Sequence, residues 1–370
     1  MELNSKIQNV RPLCLINNEL IVSKENLILR YDIEKKTLRK ILSLPVNFGI
    51  KFLMKFKILI RLFRLGVRYG IQIHEGLIIV VFNKRIYEID LKSKACKEVF
   101  KIFRGSAPLN ICEIKNIKGF ENCFAFGEYF GNFEKDEVHI YKRKINGSWE
   151  VAFTFPKGTM EHIHSIVPDR FNDCLWILAG DFANSSCIWM AKDNFSSVIP
   201  ILRGSQNYRS CVAFATEDGL LYATDSQFES NSIRLLKRNN KEWVSVEISQ
   251  LNGSSIYGCY LGGENVCFST TVEGDSLSKG KFLKYLDRKP GPGIKSPESH
   301  IVIGNLRDGF YSVMTKKKDI YPFILFQFGT FLFPTGTNKT DKLICYDIGL
   351  KGSDLNTYIY NLPKIKNNDN

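Results

Sequence analysis

An all-β propeller of seven blades is the fold this sequence predicts. Three observations carry that expectation: an internal repeat near 50 residues, short strands throughout, and almost no helical period. Four strand-like runs end in an acidic residue: CFAFGE at Glu128, WILAGD at Asp181, LLYATD at Asp225 and CFSTTVE at Glu273, with spacings of 53, 44 and 48 residues. The chain ends repeat in another form, since ILRYDIEKKT at 28–37 parallels IYEIDLKSKA at 86–95, and LICYDIGLKG at 343–352 is a third copy. Each copy reads as strand, polar turn, strand. A four-stranded sheet cannot cover both its faces alone, so repeats of this length stack side by side in a ring that must close.

Blade centres fall near residues 30, 88, 128, 181, 225, 273 and 345, in one domain over 1–363 with 364–370 a disordered tail. The motif shared by the first and last blades predicts closure between the two chain ends. Six blades, with the end segments completing one blade together, is the competing count.

One segment breaks the pattern. KFLMKFKILIRLFRLGVRY at 51–69 reads as a helix whose Lys57, Arg61, Arg64 and Arg68 share a face opposite a broad apolar one. It is expected to cap the propeller as an insertion between blades, or else to lie peripherally on an anionic membrane.

Composition bounds the partners. Lys and Arg number 51 against 38 Asp and Glu, a net charge of +13, which favours acidic partners. The basic residues form no array interleaved with aromatics, which argues against nucleic acid. Ten cysteines occur singly and mostly within apolar runs, as buried free thiols do in a reducing compartment. The N-terminus lacks a signal-peptide pattern and no apolar run is long enough to span a bilayer, so the expected location is cytoplasmic or peripheral to the membrane. No phosphate-binding loop, dinucleotide fingerprint or nucleophile elbow occurs.

A second pattern recurs downstream of the acidic strand ends: KINGSW ending at Trp149, KDNFSSV containing Asp193, LKRNNKEW ending at Trp243, and RDGFYSV containing Asp308. KINGSW, KDNFSSV and RDGFYSV resemble degenerate Asp-boxes, the hairpin turns of sialidase-like propellers. The resemblance covers roughly 120–320. It implies a propeller with the boxes at blade peripheries, and no catalytic role for them. The family's arginine triad and Tyr–Glu pair find no counterpart here, and FRGSAP at 103–108 is a partial echo of its opening motif.

The densest polar cluster is HIHSIVPD at 162–169 followed by Asp181. Residues i and i+2 of a strand face one way, so His162 and His164 point together and can hold a divalent metal or move protons. Asp181, Asp225, Glu128 and Glu273 are expected at equivalent blade positions, where two carboxylates could serve glycosidic hydrolysis. GSQNYRS adds Gln206, Tyr208 and Arg209, an anion-binding and proton-moving set that is broadly similar to propeller lyases of acidic polysaccharides. Tyr129 in FGEYFGN and Asn231 in TDSQFESN are loop residues suited to sugar rings. The sequence thus points to a hydrolase or lyase on an acidic glycan, with His162, His164, Tyr208, Asp181, Asp225 and Glu128 as catalytic groups. Arg209, Gln206, Tyr129, Asn231 and Glu273 are the expected substrate contacts. The competing reading is a non-catalytic propeller that binds a glycan or protein partner in glycan assembly.

Overall fold

Alternating apolar residues and tight turns produce 28 strands among the described residues, and these pair into seven four-stranded antiparallel sheets, a seven-bladed β-propeller. The computed structural model describes residues 1–275, 283–336 and 341–362; the expected tail at 364–370 lies outside them. Six blades use consecutive strands, over 11–43, 67–101, 112–155, 163–203, 210–251 and 254–317. The seventh takes three strands from 330–361 and its fourth, Glu2–Ile7, from the other end of the chain. Closure therefore joins the two ends, as expected, through antiparallel pairing of Glu2–Ile7 with Thr357–Asn361.

Burial falls off across each blade. In the fourth blade Cys174–Ala179 is buried at every residue, whereas the last strand, Ser197–Arg203, has no buried residue. The four recurring turn patterns, at 144–149, 192–198, 236–243 and 307–313, all fall on hairpins joining third and fourth strands.

Packing divides the chain into two compact units. One comprises 73–256 with 291–295. Its cores lie between blades: Ile114, Ala125 and Ile140 of the third meet Ile166, Leu175 and Ile177 of the fourth, and Trp176 and Ile188 of the fourth meet Leu220 and Tyr222 of the fifth. The other unit comprises 1–72, 257–290 and 296–370. There Leu20, Val22 and Leu29 of the first blade pack on Ile344 and Ile359 of the seventh, and Phe331, Leu343 and Cys345 pack on Cys267, Ile301 and Ile303 of the sixth. All ten cysteines are free, and seven are buried.

The helix expected over 51–69 does not form as one element. Phe48–Leu53, capped by Asn47 Oδ1 on the Ile50 N–H at 2.8 Å, and Lys57–Leu62 are separate short helices, and Val67–His74 is already the first strand of the second blade. Extended backbone at Phe56 separates the helices, and positive φ at Arg64 and Gly66 ends the second. The shared basic face is lost with the helix. Arg61 is buried, paired with Asp319 and Asp354 and donating to the Phe326 carbonyl, while Arg68 sits on the strand.

Candidate functional site

The site begins with an irregularity in one strand. In Ile163–Asp169, Ile163 pairs with Ala179 and Ser165 with Leu178, so His164 is an extra residue without a partner opposite. A bulge of this kind bends its strand and re-aims a side chain. The rings of His162 and His164 lie 4.9 Å apart by centroid, with their Nε2 atoms 3.1 Å apart. Each ring's other nitrogen faces a backbone carbonyl: His162 Nδ1 lies 2.9 Å from the Phe130 oxygen, and His164 Nδ1 lies 3.0 Å from the Ser210 oxygen. A carbonyl can only accept, so both Nδ1 atoms carry protons and both Nε2 atoms of the neutral rings present lone pairs.

Asp181 closes the group. Gly180 before it has φ +74°, and a Cβ there would collide with the backbone of Ser185, so only glycine makes this turn. The turn brings Asp181 Oδ1 to 3.2 Å from His164 Nε2 and Oδ2 to 3.5 Å from His162 Nε2. Glu161 Oε2 accepts the Asp181 N–H at 3.1 Å, and Gln206 Nε2 donates to the Asp181 carbonyl at 2.8 Å. Arg209 Nη2 is shared between Asp181 Oδ1 at 3.3 Å and Asp225 Oδ2 at 3.5 Å. Burial alone would raise the Asp181 carboxyl, but His162 and His164, whose Nε2 atoms donate to it when their rings carry a second proton, and the Arg209 charge outweigh it and hold the carboxyl well below its usual range.

Three ligand atoms, one each from His162, His164 and Asp181, lie within 4.8 Å of one another. Two imidazole lone pairs facing each other beside a carboxylate repel unless positive charge lies between them. That charge is either a shared proton or a cation. Two imidazoles and one carboxylate, with the imidazole N–H groups anchored on carbonyls, form a donor set that fits a first-row divalent ion.

The other expected residues divide. Tyr129 joins the group: its ring stands 4.5 Å from His162 and 6.1 Å from His164 by centroid. Gln206 and Arg209 join it as supports of Asp181. Asp225 joins through Arg209, and it also accepts from the buried Cys211 thiol at 3.2 Å. Burial, and then the Asp225 charge, push that thiol well up, so it donates a hydrogen bond and is not a thiolate.

Asp181 and Asp225 are not equivalent, however. The Gly180 N–H bonds to the His162 carbonyl as the Asp225 N–H bonds to that of Arg209, so Asp225 matches Gly180 and Asp181 stands one residue further on. A one-residue offset places the two side chains differently although both runs end in an acid.

Four residues are placed elsewhere. Glu128 is held by Arg104, whose Nε donates to Oε1 at 3.0 Å and whose Nη2 pairs with Oε2, and it also takes the His139 N–H at 2.9 Å. Tyr208 packs against the core of Trp176 and Tyr222. Asn231 spends its amide on its own loop and on Gly293: Oδ1 accepts from the Ser226 N–H and the Thr224 hydroxyl, and Nδ2 donates to the carbonyls of Ser226, Glu229 and Gly293. Glu273 is buried in the unit that holds 257–290.

Three contributors were absent from the sequence reading. The carbonyls of Phe130 and Ser210 carry no side-chain signal at all. Glu161, directly before His162, was available as an acidic neighbour in the run EHIH.

No known protein family and no curated protein sequence matches the chain. Among solved structures it is similar to an oligogalacturonate lyase in complex with manganese, at 9% identity over 97% of this chain and 90% of that one, with TM-score 0.58. It is also similar to an oligogalacturonate lyase from Vibrio parahaemolyticus, at 11% identity over 98% and 92%, TM-score 0.57. A third likeness is to the AfRom2 CNH domain, at 8% identity over 98% of both chains, TM-score 0.56. Likenesses at such identity concern the fold alone.

Proposed function

We infer that the chain is a lyase acting on an acidic saccharide, with a divalent cation held by His162, His164 and Asp181. The observation that carries this reading is the convergence of two Nε2 lone pairs and a carboxylate whose tautomers and charge are set by Phe130, Ser210 and Arg209. A divalent cation held there supplies positive charge against a substrate carboxylate and so acidifies the hydrogen on the adjacent carbon. That hydrogen leaves as a proton, its electron pair forms the carbon–carbon double bond, and the bond to the glycosidic oxygen breaks as that oxygen takes up a proton.

The roles of the residues follow from their contacts. Arg209 keeps Asp181 ionised and in place. Tyr129, in ring contact with His162, offers a face to the sugar and is the side chain we assign to proton transfer, because both histidines are taken up by the cation. Hydrolysis is the weaker alternative: it needs one carboxyl raised to act as acid, whereas Asp181 is shifted the opposite way and Glu128 is locked to Arg104.

The test has two readouts. Calorimetry with Mn²⁺ and Zn²⁺ should give a single site that His164→Ala and Asp181→Asn weaken by about a hundredfold or more. Oligouronates should yield an unsaturated, ultraviolet-absorbing product, and Tyr129→Phe should lose turnover while keeping the cation. A protein that takes up neither ion would leave the histidine pair sharing a proton, and the reading would be wrong.

A further inference from the structure

The unit of 1–72, 257–290 and 296–370 contains a concave site, with about 100 Å³ of free space and a lining that includes Met54, Ile60, Leu65 and Ile348. Its charge is one-sided: Arg11, Lys24, Lys55, Lys57 and Arg68 line it against a single carboxylate, Glu25. Arg11 and Arg68 are half-buried neighbours, with Arg11 Nη2 donating to the Arg68 carbonyl at 2.7 Å and its guanidinium lying over the Tyr346 ring at 5.8 Å. Neither arginine has a carboxylate at ion-pair distance among the described residues. Burial, followed by the charge of Arg11, pushes the Arg68 guanidinium down to about 10, the behaviour of a cation short of an anion. The other buried or half-buried arginines described in this unit are paired, Arg61 with two carboxylates and Arg30 with Glu19, so among them the unpaired state is particular to this cleft.

The two short helices beside the cleft carry a further peculiarity. Phe48 is 85% exposed, and Phe52, Phe56, Ile58 and Phe63 are all exposed as well, on the segment that also presents Lys51, Lys55 and Lys57. Large apolar side chains exposed among lysines are the composition of a surface that enters the headgroup region of an anionic bilayer. Self-association through this face would set like charges against each other, in a chain that already carries +13.

We propose that this face docks on an anionic membrane, the cleft between Arg11 and Arg68 receiving a phosphate-bearing lipid headgroup while Phe48, Phe52, Phe56, Ile58 and Phe63 insert at the interface. The site is separate from the histidine cluster and does not rest on the lyase reading.

The experiment is flotation of the full chain with vesicles of phosphatidylcholine alone, and with phosphatidylserine or phosphatidylinositol bisphosphate added. Binding should require the anionic lipid and fall with salt. Removing two charges in Arg11→Gln with Arg68→Gln should weaken it by about thirtyfold. Phe52→Ser with Phe56→Ser, at exposed positions that leave the fold intact, should abolish it even if the arginine variant does not fold. His162→Ala with His164→Ala should bind vesicles like the wild type, which separates this proposal from the saccharide reading. Equal binding to neutral vesicles would overturn the proposal. So would undiminished binding of the phenylalanine variant, or a thermal shift with inorganic phosphate in a chain that binds no vesicle.

Discussion

Arg104 and Glu128 form an asymmetric pair whose two halves should respond differently to mutation. The Glu128 side chain is 6% exposed and that of Arg104 29% exposed, so Arg104→Met strands a buried carboxylate whereas Glu128→Gln leaves a guanidinium that water can reach. We expect a loss of about 3 kcal/mol for the first and about 1 kcal/mol for the second, read from urea midpoints. Equal losses would contradict the asymmetry. Asp347 gives a pH test. It is fully buried, and desolvation raises its carboxyl despite Lys316 Nζ at 2.5 Å. A raised folded-state pKa means that the native chain holds this proton more tightly than the unfolded one. Its contribution to stability is therefore present below the ordinary carboxylate range and lost as pH rises through the folded value. The stability of Asp347→Asn relative to wild type should accordingly improve between about pH 4 and pH 7. A constant difference across urea melts at those two pH values would refute it.

At the scale of single elements the first strands of three blades share a device. Bulges fall at Leu13, His164 and Cys211, which makes Arg11, His162 and Arg209 equivalent, each two residues before its bulge. One residue of the cleft and two of the histidine site thus occupy one repeated structural position. The two-residue spacing in HIH singled out His162 and His164 in the sequence, but His162 precedes the strand Ile163–Asp169 and His164 is its bulge, so plain alternation is not what brings them together. The bulge, which depends on the register with Cys174–Ala179, was not legible there, and neither was the offset between Asp181 and Asp225. Gly180 is the element's hinge. Gly180→Ala meets both the Ser185 backbone and a positive φ, so it should cost about 2 kcal/mol or more and weaken cation binding as Asp181 moves away. Thermal melts and calorimetry read both effects, and an alanine variant with native affinity would remove Gly180 from the argument.

For the whole molecule, the seventh blade is the point of vulnerability, because it is assembled from both ends of the chain. Deleting residues 2–7 exposes the edge of Thr357–Asn361 and should lower the melting temperature by about 10 °C or more. An unchanged melt would mean that the terminal strand adds nothing to closure.

The repeat period, the strand alternation and the paired end motifs determined the propeller and its closure between the chain ends, since these depend on local pattern and on a sheet's need to cover both faces, and left the blade count at seven or six. The spacing in HIH also identified the histidine pair. Which carboxylates meet those histidines, that Glu128 and Asn231 are spent on structure, and that a basic apolar stretch breaks into two helices beside a cleft of unpaired arginines were decided only in three dimensions. Ion pairing, bulge position and burial each depend on partners many residues away, and composition and periodicity carry no record of which partner arrives.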